Sequence, residues 1–317
     1  MGTTLTNQGH LPGHSEAIDL DALMRIKSLE LRARVVVEGL LSGLHRSPYH
    51  GFSVEFTEYR QYTPGDDPRF VDWRVFARSD RYFVKRFEDE TNLRCYLVVD
   101  LSHSMSFGSL AHTKRQYAVT LAATIGYFLA GQRDAVGLIT FDEDVGEYLP
   151  ARYRPGHLRR LLLALERPAA GTATDLAAPL RHVADLVAKR GLVVLISDLL
   201  APPAPLEQHL GYLRSRGHEV VVFHVLDPAE VRFEFHEPAI FYDLESGREL
   251  YVDPAVAERQ YSARLTEHRD AIRAACDRLG IEYHPLTTDR PLELALFDYL
   301  RGRLERGRAV RGRRIRA

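Results

Sequence analysis

The order of apolar and polar positions changes character twice along the chain. Between Asp19 and His45, apolar residues recur at the spacing of an amphipathic helix, and the positions between them are mostly charged. Within 48–92, aromatic residues are interleaved with arginine and aspartate, and segments 52–60 and 81–88 alternate apolar with polar residues as half-buried β-strands do. Beyond this region, strand and helix patterns alternate almost to the end of the chain.

The alternating region consists of short apolar runs separated by amphipathic segments. The predicted strands are 93–100, 135–141, 145–149, 191–198, 219–226 and 281–286, and the predicted helices are 112–131, 156–166, 175–189, 205–216, 254–279 and 290–304. An inserted hairpin is predicted near 230–252. This alternation predicts an α/β fold with a doubly wound, mostly parallel sheet, preceded by an N-terminal helix and a β-rich leading segment.

These patterns divide the chain into four parts. We expect a disordered N-terminus at 1–17, a helix with the β-rich leading segment at 18–92, one α/β domain at 93–304 and a basic tail at 305–317. The arginine-rich end is interpreted as a solvated, frayed tail. The alternative, contact with a nucleic acid or an acidic partner, would show as salt-dependent binding that is lost when the tail is deleted.

Composition limits the classes of function. The 317 residues carry a formal net charge of −1, so nothing global indicates a nucleic acid or an anionic membrane as partner. The longest apolar stretch, from Tyr117 to Gly131, is shorter than a bilayer span requires, and the first residues lack the apolar core of a signal peptide. Cys95 and Cys276 are interpreted as buried thiols in a reducing compartment. We therefore expect a cytoplasmic protein.

Candidate chemistry lies where two of the predicted strands end. Asp100-Leu101-Ser102-His103-Ser104 has the form Asp-x-Ser-x-Ser directly after an apolar strand, and Ser197-Asp198 ends a later one. In doubly wound sheets, ligands bind at the carboxyl ends of the strands. A hard dication such as Mg²⁺ takes oxygen ligands, which these hydroxyls and carboxylates supply. The alternative is that the serines and aspartate only cap a helix.

The arrangement resembles the metal-ion-dependent adhesion site of von Willebrand factor A domains. The resemblance implies that Ser102 and Ser104 ligate the ion directly together with a threonine, whereas Asp100 and Asp198 bind through water. Mg²⁺ is the expected ion, with Mn²⁺ or Ca²⁺ as alternatives. In that family an aspartate or glutamate of a partner completes the coordination.

The threonine of this set has two candidates in one loop. Thr174 is preferred because it directly precedes the helix-opening Asp175, and Thr172 is the alternative. The implied ligand set is therefore Asp100, Ser102, Ser104, Thr174 and Asp198.

The leading segment carries a second resemblance. Aromatic residues, arginines and aspartates are dense across 51–78, around the turn Pro64-Gly65-Asp66-Asp67-Pro68. Together with the metal motif and the later runs 226–230 and 242–247, this segment resembles domain of unknown function family 58, over roughly residues 40–305. From the residues alone, the segment is either a partly buried ion-pair network around Trp73 or a partner-binding surface.

The resemblance to this family also implies a role. Its members join such a leading segment to a von Willebrand factor A domain, and they are often encoded beside MoxR-type AAA+ ATPases. We therefore expect a non-enzymatic, Mg²⁺-dependent adaptor that engages such an ATPase or its client in complex assembly or metal insertion.

Two other functions stay open at this point: a metal-dependent hydrolase, and a scaffold whose metal site is empty. The sequence contains no Gly-x-Ser-x-Gly, no His-Glu-x-x-His and no P-loop, and few carboxylates converge at this edge. His103 stands at an x position of the metal run, where its side chain is expected to point away from the ion.

Overall fold

The computed structural model describes residues 18–46, 58–61, 83–86, 93–142, 144–167, 177–187, 189–233, 239–242, 249–252, 254–297 and 299. Thr172, Thr174, most of the leading segment and the predicted disordered and basic ends lie outside the described residues.

Ten strands are found in the described residues. They are β1 (Glu58–Gln61), β2 (Phe83–Arg86), β3 (Arg94–Asp100), β4 (Ala135–Phe141), β5 (Val145–Arg152), β6 (Leu192–Ser197), β7 (Glu219–Leu226), β8 (Ala239–Tyr242), β9 (Glu249–Val252) and β10 (Glu282–Thr287). Six of them form one sheet in the order β10–β7–β6–β3–β4–β5. Only the edge pair β4–β5 is antiparallel, because the link from Phe141 to Val145 is too short for a parallel crossover.

From β3 onward, helices lie between most of the successive strands. In the described residues the helices are α1 (Leu20–Arg25), α2 (Leu29–Arg46), α3 (Lys114–Gly131), α4 (His157–Leu165), α5 (Ala177–Leu186), α6 (Pro203–Ser215), α7 (Pro228–Arg232), α8 (Pro254–Leu279) and α9 (292–297), and a 3₁₀ turn spans His103–Ser106. In the part of the chain that the structure describes, none of these helices combines the length and apolar character of a membrane span.

The side chains of the central strands alternate between two cores. In β3, Cys95, Leu97 and Val99 join the core formed with α2, α3, α4 and α9. Tyr96 and Val98 point to the opposite face, where α5, α6 and α8 form the second core. Because successive side chains of a strand face opposite sides, a strand covered on both faces is apolar throughout. The predicted doubly wound α/β fold is therefore confirmed.

The single N-terminal helix predicted for Asp19–His45 is wrong in one respect, because two helices occupy this stretch. The Asp19 carboxylate accepts from the backbone N–H groups of Asp21 and Ala22 and so caps α1. Ile26 is extended and ends it, and the Ser28 hydroxyl accepts from the Leu31 N–H at 3.3 Å at the start of α2. Each of the two helices therefore has its own capping residue at its start.

The N-terminal helices pack into the first core. Leu29, Ala33 and Val36 of α2 are fully buried there. At the start of the described chain, the Ile18 backbone N–H donates to the Glu293 carboxylate in α9 at 2.7 Å. Helix α2, which the sequence assigned to the leading segment, thus shares a core with the central sheet.

The remaining predicted features fall close to their expected places. β1 and β2 form an antiparallel pair, and β8 and β9 form the hairpin predicted near 230–252. Cys95 and Cys276 are buried thiols, as their apolar surroundings in the sequence predicted.

Candidate metal centre

The predicted metal residues lie where the chain changes direction across the sheet. From β3 the chain runs through α3 to β4 on one side, and from β6 it runs through α6 to β7 on the other. The carboxyl ends of β3 and β6 therefore flank a topological switch point, which is where doubly wound sheets form ligand crevices. Asp100 ends β3, and Asp198 directly follows β6.

Asp100 is held by donors on both sides of its carboxylate. The Ser102 backbone N–H donates to Oδ1 at 2.9 Å, and the Ser197 hydroxyl of the neighbouring strand donates to Oδ2 at 2.5 Å. The parallel register pairs Val99 with Ile196, which brings Asp100 and Ser197 side by side. Burial and the charge of Asp198 raise the pKa of Asp100 to about 7, against the effect of these hydrogen bonds. Burial and the neighbouring charge thus destabilise the ionised form of Asp100.

The two serines of the metal run form a pair of oxygen donors. The hydroxyl oxygens of Ser102 and Ser104 lie 3.1 Å apart. Adjacent oxygens around a Mg²⁺ ion with ~2.1 Å bonds are about 3 Å apart, so this spacing fits two neighbouring ligand positions. Ser102 is buried, whereas Ser104 in the 3₁₀ turn is half-buried and reaches towards the surface. The donor set is therefore compatible with a hard dication.

Asp198 is paired with a buried lysine. The Lys114 ammonium donates to Asp198 Oδ2 at 2.9 Å and to Glu230 Oε1 at 2.6 Å. The Lys114 side chain is only 1% exposed and that of Asp198 is fully buried. Burial disfavours the ammonium, but the charges of Asp198 and Glu230 outweigh this effect and raise the pKa of Lys114. A permanent internal cation thus stands beside the candidate metal centre.

The loop between the serines and α3 is anchored to the ends of two further strands. Ser109 donates to the buried Asp227 carboxylate through its backbone N–H at 2.9 Å and its hydroxyl at 2.5 Å. His112 Nε2 donates to the Thr288 carbonyl at 3.0 Å. A Cβ at Gly108 would lie 2.5 Å from the His112 carbonyl oxygen, so the tight return of this loop requires glycine.

His224 is the buried histidine closest in register to the site, because it pairs with Ser197 in the sheet. Its Nδ1 lies 2.7 Å from the Tyr283 hydroxyl. Burial lowers the pKa of His224 to about 4. The imidazole is therefore neutral near pH 7 and adds no positive charge to the centre.

The structure brings four of the five predicted ligands to one sheet edge. Asp100, Ser102 and Ser104 lie within one turn of chain, and Asp198 follows the adjacent strand, near enough for its charge to act on Asp100. Thr174 lies outside the described residues. Within the described ranges, no three or more histidine, cysteine, aspartate or glutamate side chains form a metal-type group, so the centre would rest on hydroxyls as much as carboxylates.

Sequence reasoning missed three groups that act on this site. Ser197, named only as part of the strand end, is a hydrogen-bond donor to Asp100, and Lys114 and Glu230 form the ion pair around Asp198. Lys114 is 84 residues from Asp198 and 116 from Glu230, so no local pattern reveals their contact. The run Asp227-Pro228-Ala229-Glu230 does carry a local signal, because it forms a capping box at the start of α7.

Comparison with known proteins gives weak structural and clear sequence similarity. BatB, a conserved hypothetical protein from Bacteroides thetaiotaomicron, is 14% identical with a TM-score of 0.46 over 67% of this chain and 99% of its own. The SpRpn10 VWA domain is 12% identical with a TM-score of 0.41 over 64% of this chain and 93% of its own. Both TM-scores lie below 0.5, and similarity at that level says nothing of what this chain binds.

The sequence similarity is stronger. Rv1480, an uncharacterized protein of Mycobacterium tuberculosis (strain ATCC 25618 / H37Rv), is 32% identical over 275 residues, which cover 84% of this chain and 84% of that protein. The pattern of the family described as "Protein of unknown function DUF58" matches residues 58–271. That match takes in β3, the serine run, Asp198 and most of α8. The chain therefore belongs to the DUF58 family of proteins of unknown function.

Proposed function

We propose that this protein is a non-enzymatic, Mg²⁺-dependent adaptor that binds an aspartate or glutamate of a protein partner. The partner in this proposal is a MoxR-type AAA+ ATPase or its client, and the role is complex assembly or metal insertion in the cytoplasm. The observation that carries the proposal is the pair of serine hydroxyls, 3.1 Å apart, beside the buried Asp100.

The donor chemistry supports a hard dication. Ser102 and Ser104 supply neutral oxygens, and the carboxyl groups of Asp100 and Asp198 lie buried beside them. Both carboxylates already accept hydrogen bonds from Ser102, Ser197 or Lys114, which suits them to act through water rather than by direct contact. Mg²⁺ fits such a set, with Mn²⁺ or Ca²⁺ as alternatives. When bound, the ion would supply an electrophilic centre that accepts one more oxygen ligand.

The exposure of the donors supports a ligand that arrives from outside. Ser104 is half-buried, whereas Ser102, Asp100 and Asp198 are buried. An external ligand would therefore approach an ion at these hydroxyls from the side of Ser104. Among the described residues few carboxylates could contact that ion directly, so it would keep affinity for an incoming carboxylate.

The contacts of His112 and His224 favour an adaptor over a hydrolase that uses either histidine as its base. A hydroxyl nucleophile needs a base within hydrogen-bond reach. The Ser102 and Ser104 hydroxyls face each other, His112 Nε2 is engaged with the Thr288 carbonyl, and His224 faces the Tyr283 hydroxyl. One ring nitrogen of each of these two histidines is thus engaged by a group other than the serine hydroxyls.

Ion binding is tested by titrating the full chain with Mn²⁺, followed by electron paramagnetic resonance. We expect Ser104→Ala to weaken Mn²⁺ binding by roughly tenfold or more, because it removes a direct oxygen ligand. Ser106→Ala is the matched control, since Ser106 is exposed in the same 3₁₀ turn. Equal Mn²⁺ binding by wild type and Ser104→Ala would overturn the assignment of the site.

Partner binding is tested with a MoxR-type ATPase from the same genome. We expect the tagged chain to retain the ATPase in Mg²⁺ and to release it in EDTA, and we expect Ser104→Ala to behave in Mg²⁺ as the wild type does in EDTA. Retention that is unchanged by EDTA and by the substitution would exclude an ion-mediated contact and favour the scaffold with an empty site.

A further inference from the structure

Lys114 occupies an unusual position for a lysine. It is the first residue of α3, yet its side chain is 1% exposed and lies between two carboxylates that come from distant parts of the chain. Asp198 belongs to the candidate metal centre, and Glu230 lies in α7 on its far side. The ammonium thus bridges Asp198, a predicted metal ligand, and Glu230, which is not a predicted ligand.

The surroundings hold this ammonium in place. The Thr113 hydroxyl caps α3, and the Lys114 backbone N–H donates to the Phe107 carbonyl at 2.9 Å. The Lys114 ammonium also lies 5.9 Å from the centre of the Phe107 ring. The second oxygen of Glu230 accepts from the Asp227 backbone N–H at 2.8 Å, which fixes that carboxylate. Burying an ammonium costs several kcal/mol, and these contacts and the two opposite charges offset that cost.

The charge of Lys114 changes what Asp198 can do for an ion. The Lys114 ammonium donates to the carboxylates of Asp198 and Glu230, whereas Asp100 accepts from the neutral donors Ser102 and Ser197. Since the ammonium bonds Asp198 directly at 2.9 Å, the negative charge of Asp198 is largely cancelled where an ion would use it. The ammonium also repels any dication placed at the serine pair. Asp100, whose own hydrogen-bond donors are neutral, is left as the carboxyl group beside the two hydroxyls.

We propose that Lys114 is a built-in counter-ion that weakens the binding of a dication to the Asp100–Ser104 centre until an external carboxylate joins it. This inference rests on the proposed function, because it concerns the same ion. The external carboxylate restores the negative charge that Lys114 removes from Asp198. Ion and acidic ligand therefore bind cooperatively, and each raises the affinity for the other by the same factor.

The test uses the full chain, Mn²⁺ and acetate as the carboxylate probe. Mn²⁺ affinity is measured by electron paramagnetic resonance with and without acetate, and the free Mn²⁺ concentration is corrected for its acetate complex. The informative variant is the double substitution Lys114→Met/Glu230→Gln, which removes one charge of each sign and leaves the charge of Asp198 uncancelled. Lys114→Arg retains a cation and is the matched control. Thermal unfolding selects the variants that fold.

The expected result has two parts. Without acetate, the double variant binds Mn²⁺ roughly tenfold more tightly than wild type, because a repulsive charge is gone and Asp198 can act on the ion. Acetate then strengthens Mn²⁺ binding in wild type and Lys114→Arg but much less in the double variant. If Lys114 instead served to position Asp198 for the ion, the double variant would bind Mn²⁺ more weakly.

The outcomes separate this inference from the proposed function. A folded double variant with Mn²⁺ affinity equal to or below that of wild type overturns the counter-ion role while leaving Ser104-dependent ion binding intact. If neither the wild type nor the double variant binds Mn²⁺, with or without acetate, the counter-ion role and the ion-dependent function are both overturned.

Discussion

At the scale of single residues, the candidate centre depends on how one buried carboxylate is satisfied. Asp100 and Ser197 are both fully buried and come from neighbouring strands. The Ser197 hydroxyl donates to Asp100 and accepts from the Leu199 backbone N–H at 2.9 Å. One hydroxyl therefore supports the carboxylate and also fixes the turn that contains Asp198.

Ser197→Ala should lower the free energy of unfolding by about 1–3 kcal/mol, because it leaves a buried acceptor and a buried donor without a partner. Urea unfolding followed by circular dichroism measures the change. Ser106→Ala, at an exposed position, should change stability by less than about 0.5 kcal/mol. A loss in Ser197→Ala no larger than in this control would show that the hydroxyl does not stabilise Asp100.

The residues of the site were predictable to different degrees for physical reasons. Asp100, Ser102 and Ser104 form a local run after an apolar strand, so sequence spacing alone placed them together. Asp198 could be added because the carboxyl ends of parallel strands share an edge. Lys114 could not be added to the site from the sequence, because its two partners are set by tertiary packing. A lysine at the start of a helix normally faces water.

At the scale of elements, α3 connects the metal run to the body of the sheet. The Thr113 hydroxyl accepts from the Gln116 backbone N–H at 3.2 Å, and the Gln116 side chain accepts from the Thr113 N–H at 3.0 Å. This reciprocal capping box fixes the first turn of the helix, where Lys114 stands.

Thr113→Ala should reduce the free energy of unfolding by about 1 kcal/mol, because it removes the acceptor that satisfies the first turn of α3. Thr113→Ser keeps a hydroxyl in the same place and is the control, with an expected change of only a few tenths of a kcal/mol. Both are measured by chemical denaturation. Equal losses in the two variants would point to the lost methyl group rather than the cap.

The elements themselves were largely predictable because both faces of the sheet are covered. The apolar runs of β3, β6 and β7 mark buried strands, and their predicted bounds differ from the observed ones by at most one residue at either end. The break between α1 and α2 was missed since periodicity continues across it. Ser28 was its only local signal, and a serine cap carries little weight inside an otherwise helical pattern.

At the scale of the whole molecule, α2 is part of the first core and not an accessory. Its buried residues share one cluster with β3, α3 and α9. The Arg32 guanidinium donates to the Thr120 hydroxyl of α3 at 2.9 Å, which adds a polar contact at that interface. Helix α2 and the sheet should therefore unfold together.

Leu29→Ala should lower the free energy of unfolding by about 2–5 kcal/mol in one cooperative transition, because Leu29 is 0% exposed. Leu31→Ala is the matched control on the same helix, since Leu31 is 47% exposed and its loss leaves no cavity. Thermal unfolding followed by circular dichroism and by tyrosine fluorescence compares them. Two separate transitions, or equal effects of the two substitutions, would contradict a shared core.

The contact between Ile18 and Glu293 joins positions 275 residues apart in sequence. A short polar linker from the residues that follow α9 back to Ile18 would close the described fold into a ring, and new chain ends could be opened at the exposed turn of Gly217, between α6 and β7. A circularly permuted chain of this kind would keep the six-stranded sheet and the serine pair. The architecture thus depends on which segments pack together, and the same packing is compatible with more than one order of those segments along the chain.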